Sequence, residues 1–469
     1  MTKHELEQMV TTLVEENHRL QQRIAELERE LAKTRKTSKT SSKPPSSDVT
    51  TPPKAPRPPS VFGPRTAGGQ PGHPKHERAD FSPEELTATR EYTLTSCPTC
   101  GGVLNPADQA PKVIQQVDIV EVPIQIEEHR GLAFWCPTCQ AIHYAPFPST
   151  VVEGGLFGPR LTALVAYLKG ACHASFSTIR KFLRDVVKVS VSRGYLRKLI
   201  TKVSDALEPA FDELLQALPE QHVLNIDETG HKDCGERFWT WCFKASMYTL
   251  FRIDKSRGSQ VLLEVLGEEF NGLIGCDYFS AYRKYMRLND NVQVQFCLAH
   301  LIRDVKYLLT LPDADTRAYG ERLRDDLRRL FEVFHREKEW SPSVFQHSLE
   351  VARDRILATA TTQVPSTSEA QNMAKRFAAH GASYFQFITH LYWIEPTNNL
   401  AEQAIRFVVI DRRITQGTRS QAGRDWCERI WTVMATCTQR GLEVFDFLYR
   451  SLCAYWAQIP GPSLLLDSG

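Results

Sequence analysis

Two apolar runs that each stop on an aspartate constrain this chain more than any other feature. Residues 222–226 lead into Asp227-Glu228-Thr229, and residues 272–276 lead into Asp277. Both runs have the length of strands. Between them, residues 238–244 and 248–253 read as two further strands, and residues 256–266 carry helical apolar spacing. If the first and last strands of this series lie side by side, Asp227 and Asp277 meet at their ends and can share a metal ion. Taken singly, each acid has a plainer reading: Asp227 as a turn residue, Asp277 as a helix cap. Glu228 is an alternative ligand to Asp227, because so short a strand does not settle which of the two faces the site.

A third carboxylate is expected from a later helix. Pro396 and Thr397 are helix-start signals. Asn399, Glu402 and Arg406 follow at spacings of three and four, which puts them on one helical face. Glu402 completes an oxygen-rich set, Asn399 is a candidate to position DNA or water, and Arg406 is a candidate to hold a phosphate. Carboxylates suit hard cations such as Mg²⁺ or Mn²⁺. Two such ions about 4 Å apart serve phosphodiester cleavage without a nucleophilic side chain. The 125 residues from Asp277 to Glu402 are more than this order of elements needs. Residues 303–380, rich in Arg, Asp, Glu and Leu at helical spacing, read as a helical insertion. Cys297 and His300, just before it, either help to bind metal or shape the wall of the site. Two ligands alone make a poor zinc site, which favours the structural role. Beyond Glu402, Arg412 and Arg413 precede a basic, glycine-containing turn at residues 415–420 that suits contacts with a DNA backbone.

The N-terminal half carries different signals. Leu6, Leu13, Leu20 and Leu27 recur every seven residues, with Val10, Ile24 and Leu31 on the second seam, so residues 1–32 read as a coiled coil. Asn17 on that seam favours a parallel two-stranded register, hence a homodimer. Residues 33–80 read as a disordered, basic, proline-rich linker. From Lys33 to Lys75 there are ten prolines and nine cations against one acid, a local charge of +8. Such a segment cannot bury a core; it serves either as a solvated linker or as an arm that neutralises DNA phosphates. Residues 90–150 hold Cys97-Pro-Thr-Cys100 and Cys136-Pro-Thr-Cys139, whose four sulfurs suit a structural zinc ion. The apolar residues between them, from Val113 to Ile124, read as strands. Residues 155–210 read as helices. The last of these presents Arg193, Arg197 and Lys198, either as the recognition helix of a helix-turn-helix or as the solvated face of a small bundle. No run of about 18 apolar residues and no secretory signal appears, so a cytoplasmic protein with no membrane span is expected.

Taken together, these motifs resemble the large transposases of the insertion-sequence sixty-six family over nearly the whole chain. The most specific are the Ser-Ser-Lys-Pro-Pro-Ser-Ser-Asp linker and Asn398-Asn399-x-Ala401-Glu402-x-x-Ile405-Arg406. The double Cys-x-x-Cys, Asp227-Glu228-Thr229, Asp277-Tyr278 and Cys297-x-x-His300-x-x-Arg303 add to them. The resemblance implies an α/β ribonuclease H-like catalytic core at residues 221–302 and 385–457, interrupted by the helical insertion. It implies metal-dependent cleavage and strand transfer by Asp227, Asp277 and Glu402 at the inverted-repeat ends of an element and at target DNA. Small accessory proteins of the same element are implied partners. The alternative is a catalytically inactive, transposase-derived DNA-binding regulator.

Overall fold

The computed structural model describes residues 3–34 and 80–465, apart from residues 97, 102, 104–110, 112, 118, 121–122, 150 and 152–154. The basic arm therefore lies almost wholly outside the described residues, and so does Cys97. Helix α1 (Lys3–Thr34) is continuous. Its seam residues Leu13, Leu20, Ile24 and Leu27 are exposed. The side chains of Leu6, Val10 and Leu31 fall outside the description.

The chain divides into two units: Thr50–Ile126 with Val186–Lys188, and Met1–Val49 with Glu127–Asp185 and Val189–Gly469. In the smaller unit the strands expected over residues 113–124 do not form among the described residues. Val113, Ile114, Val117, Ile119 and Val120 stay exposed there. Apolar content alone does not make a strand, because an isolated strand leaves its backbone groups unpaired. Beyond α1, the larger unit continues with a hairpin, β1 (Ala133–Cys136) antiparallel to β2 (Ala141–Tyr144).

Helices α2 (Pro159–Gly170), α3 (Phe176–Asp185) and α4 (Arg193–Gln216) follow. Ser192 caps α4 through its hydroxyl, which accepts the Tyr195 amide at 3.0 Å. The apolar stripe Leu196, Leu199, Val203 and Leu207 is buried, and Arg193, Arg197 and Lys198 face solvent.

The core is a five-stranded sheet in the order β5-β4-β3-β6-β7. Its strands are β3 (Val223–Asp233), β4 (Glu236–Lys244), β5 (Thr249–Asp254), β6 (Leu273–Cys276) and β7 (Gln293–Phe296). The β3–β4 turn is two residues, Cys234 at φ 52 and Gly235 at φ 86. Left-handed values at both positions match the strand twist and keep this pair antiparallel. The parallel partners β3–β6 and β6–β7 need crossovers, supplied by α5 (Ser259–Leu266) and α6 (Ser280–Leu288). Asp227 was expected at the end of its strand, but β3 runs six residues past it. The extension pairs with β4 to Asp233. Its polar residues are satisfied from a distant segment: His231 meets Thr418 Oγ1 at 3.0 Å, and Asp233 accepts from Thr418 and Arg424.

Helices α7 (Leu298–Leu308), α8 (Ala314–Phe334), α9 (Pro342–Thr361), α10 (Ser368–His380) and the short α11 (Gln386–Thr389) separate β7 from α12 (Asn399–Thr415). The start of α12 lies two residues beyond Thr397, with Asn398 as its cap residue. Helices α13 (Gln421–Arg440) and α14 (Val444–Ala457) close the unit and pack on α2 and α4. A Cβ on Gly170 would lie 2.6 Å from Ile430, so the α2–α13 approach requires glycine there. The edge strand β5 is covered by a side-chain ladder from α13. Thr249 N donates to Thr436 Oγ1 at 3.2 Å, Phe251 N to Thr432 Oγ1 at 3.0 Å, and Ile253 N to Glu428. Four helical residues rise about 6 Å and two strand residues about 6.6 Å, so the two periods stay in step. This ladder occupies donors that an open edge would offer to other chains. Among the described residues no helix is long and apolar enough to cross a membrane.

Candidate active site

β3 and β6 are parallel neighbours in register at Asn225 and Gly275. Two residues further along each chain stand Asp227 and Asp277, so the pairing brings the two carboxylates to the same end of the sheet. Gly275 leaves room for the Asn225 amide, since a Cβ there would lie 2.5 Å from Asn225 Nδ2. Asp227 Oδ1 accepts the Glu228 amide at 2.9 Å. Asp277 Oδ1 accepts the Phe279 amide at 2.9 Å, a local turn that feeds into α6.

The third acid is brought in by Asn398, which is 2 % exposed. Its side chain donates to Ile226 O at 2.8 Å and accepts from Asn225 Nδ2 at 3.0 Å. Its amide donates to Cys297 Sγ at 3.2 Å, and Leu298 N donates to Pro396 O at 2.9 Å. These bonds tie the start of α12 to β3 and to the β7–α7 junction. Glu402, in the first turn of α12, then faces the sheet end. In the sequence the one signal of this role is the place of Asn398 directly before the helix.

The acids feel one another. Burial pushes Asp227 well above the usual carboxylate range, and repulsion from Glu228, Asp277 and Glu402 adds to it. Asp277 is raised by burial, opposed by the Phe279 amide and by Arg257 and Arg376. Glu402 is raised by burial, opposed by Arg303 and Arg406 and raised further by Asp277. Oxygen donors that repel one another suit a divalent cation.

Glu228 has a different environment. Its carboxylate is held by Arg257 at 2.8 and 2.9 Å and by the Tyr282 hydroxyl at 2.6 Å. Burial and then Asp277 push it up to about 7. With both oxygens engaged, Glu228 braces α6 and the segment before α5 against β3.

Cys297 and His300, weak as a pair in the sequence, gain Glu402 as a neighbour: the ligand atoms of the three lie within 4.8 Å of one another. His300 Nδ1 is 3.7 Å from Glu402 Oε1, and both atoms are buried without a hydrogen-bond partner. Burial, then Arg303, lowers His300 to about 4, so it is neutral at pH 7. Arg303 stands 3.9 Å from the other Glu402 oxygen.

The proposed DNA contacts fall on two surfaces. Asn399, Arg406 and Arg413 are exposed on α12, and Arg412 is half-buried, donating to Thr229 Oγ1 at 3.0 Å. Arg412 and Arg413 line a cavity of about 720 Å³ with Lys232, Arg237 and Arg419, and no acid lines it. A second cavity of about 350 Å³ contains Arg419 and reaches Lys169 and Arg197 of α2 and α4. Arg419 belongs to the basic turn expected at residues 415–420, whereas the sequence carries no sign of Lys232 and Arg237 as members of this set, because they come from a hairpin far from that turn in the chain. Of the four zinc candidates, Cys100 and Cys139 are exposed and Cys136 is half-buried. The division at Ile126 and Glu127 assigns Cys100 to one unit and the other two to the second.

Among known proteins, a family described as Transposase IS66 family matches residues 154–425. A family of unknown function matches residues 1–79. Uncharacterized protein y4qI of Sinorhizobium fredii is 22% identical over 425 residues, covering 83% of this chain and 76% of that protein. Uncharacterized protein y4hP of the same organism is 22% identical over 389 residues, covering 73% and 67%.

Proposed function

The chain belongs to the IS66 family of transposases, and from that premise we propose that it cuts and rejoins DNA with Asp227, Asp277 and Glu402 as its catalytic carboxylates. The observation that carries this reading is the convergence of β3, β6 and α12 on one sheet end, fixed by Asn398. The strand order, with two antiparallel and two parallel pairings around β3, supports a ribonuclease H-like core interrupted by the α8–α10 insertion.

The oxygen donors suit a divalent ion in kind, and among the described residues the ligand atoms within 4.8 Å of Glu402 in a candidate metal group are those of Cys297 and His300. The carboxylate oxygens repel one another, and Glu402 Oε1 is buried with no hydrogen-bond partner. Asp227, Asp277 and Glu402 would hold Mg²⁺ or Mn²⁺, which supplies positive charge to the scissile phosphate and activates its attacker. The chain's own residues do the positioning. Arg303 places its positive charge beside the Glu402 carboxylate, and neutral His300 lines it without bonding to it. Glu228, Arg257 and Tyr282 keep the helix after Asp277 in place. Arg406, Arg412 and Arg413 hold DNA phosphates, Asn399 orients DNA beside Glu402, and Arg193, Arg197 and Lys198 of α4 contact the duplex of the inverted-repeat ends. A structural zinc on the Cys97, Cys100, Cys136 and Cys139 knuckles and dimerisation through α1 complete the reading, with accessory proteins of the element as further partners.

The test is strand nicking on DNA carrying the element's ends. Metal-dependent cleavage by the wild-type chain that is lost in Asp277→Asn supports the reading. Salt-sensitive binding with no cleavage under any divalent ion supports the alternative, an inactive DNA-binding regulator.

A further inference from the structure

We infer that the β1–β2 hairpin is itself a zinc site, with Cys136, Cys139 and His143 as three of the four ligands. The inference rests on the zinc reading above and changes its donor set. The local spacing is Cys-x-x-Cys-x-x-x-His. In the hairpin register Cys136 opposes Ala141, and His143 lies two residues beyond Ala141 on the same strand. Side chains alternate along a strand, so Cys136 and His143 share one face of the hairpin. Gln140, at φ 52, turns the chain between them.

The ligand atoms of Cys136, Cys139 and His143 lie within 4.8 Å of one another, and Cys139 Sγ is 3.1 Å from His143 Nε2. Tetrahedral zinc, with bonds of about 2.3 Å to sulfur and 2.0–2.1 Å to imidazole, places its ligand atoms roughly 3.5–3.8 Å apart. The observed spacing brackets that value. Three nearby side chains on eight residues therefore offer two sulfurs and one nitrogen, a soft set that suits zinc rather than magnesium.

A tetrahedral ion with these three ligands has one position left. At least one of Cys97 and Cys100 is then surplus. A plain surface contact between a thiol and an imidazole would make no such demand.

The test uses the full chain, with Zn²⁺ affinity measured by competition against a chromophoric chelator and the ligands read from the absorption of the Co²⁺ form. His143→Ala should weaken Zn²⁺ binding by at least the 10–100-fold typical of losing a supporting residue around a metal. Cys97→Ser/Cys100→Ser should keep a site whose remaining affinity disappears when His143→Ala is added. His143→Cys should restore binding and strengthen the sulfur-to-cobalt band, an outcome that misfolding does not produce. If His143→Ala and His143→Cys both match the wild type while Cys97→Ser/Cys100→Ser abolishes binding, the inference is wrong and the four-thiolate reading stands. If the wild-type chain binds no zinc, both fall. Neither result bears on the carboxylates.

Discussion

The carboxylate centre and the knuckle hairpin are two candidate metal sites built in opposite ways. Asp227, Asp277 and Glu402 come from segments 50 and 125 residues apart. They are positioned by a parallel strand pair and a buried asparagine. Cys136, Cys139 and His143 come from eight consecutive residues on a two-stranded hairpin. Phe134, Trp135, Ile142 and Tyr144 of that hairpin are all more than half exposed. The first site is tied together by hydrogen bonds that need no ion, so an ion bound there would be free to serve chemistry. The second has little core of its own, and a two-stranded hairpin is marginal in water. An ion there serves folding.

Breaking the pre-organisation of the first site should have the largest effect. Asn398→Ala leaves Asn225 Nδ2 and Ile226 O without their partner. It should cost on the order of 1–3 kcal/mol in urea unfolding. A shift of Glu402 by about 1 Å would lower single-turnover cleavage about 100-fold. Unchanged cleavage in a destabilised protein would show that Asn398 serves the fold alone.

Metal removal should separate the two sites next. Chelation of zinc should speed hydrogen exchange over residues 133–144 and leave the amides of β3 and β6 protected. Exchange rising equally in both regions would break the contrast.

A pH effect follows from burial. Glu228 and Glu428 are each raised to about 7, both by burial first, against about 4.3 for an unfolded glutamate. At these two positions the folded chain binds more protons than the unfolded chain between those values, so their contribution to metal-free stability should fall as pH rises from about 4.3 to 7, while His231 and His300, lowered to about 4, contribute in the opposite sense. Burial raises Asp227, Asp277 and Glu402 as well, so Mg²⁺ held by these carboxylates should raise the melting temperature more at pH 8 than at pH 6. An equal shift at both values would contradict raised, buried acids as the metal ligands.

The smallest effect concerns the cationic cavity. Arg412→Ala and Arg419→Ala should each reduce the slope of log affinity against log salt by about 0.9, one phosphate contact apiece. Slopes that do not change would remove this surface from the DNA path.

How much of this was legible in the sequence depends on the range of the contacts. The strands β4, β5 and β6 follow from local apolar runs bounded by turns. The extension of β3 past Asp227 does not, because His231 and Asp233 look like loop residues until Thr418 and Arg424 satisfy them from across the chain. The apolar residues from Val113 onward mislead in the other direction: their composition suits a strand, but the described residues among them form none. At the site, Glu402 was visible from its helical spacing. Its contacts with His300 and Arg303 were not, since they join two helices separated by the whole insertion. His143 was within reach: it lies four residues after Cys139.

The most direct measurement is metal-dependent cleavage of element-end DNA by Asp227→Asn, Asp277→Asn, Glu402→Gln and Glu228→Gln, each checked for a native melting profile. The first three should each lose about 10³-fold or more, the scale of removing a group that stabilises transition-state charge, and Glu228→Gln should lose far less because its carboxylate is engaged by Arg257 and Tyr282. Near-wild-type cleavage by any of the first three, or a loss in Glu228→Gln that equals theirs, would contradict the assignment of Asp227, Asp277 and Glu402 as the catalytic set.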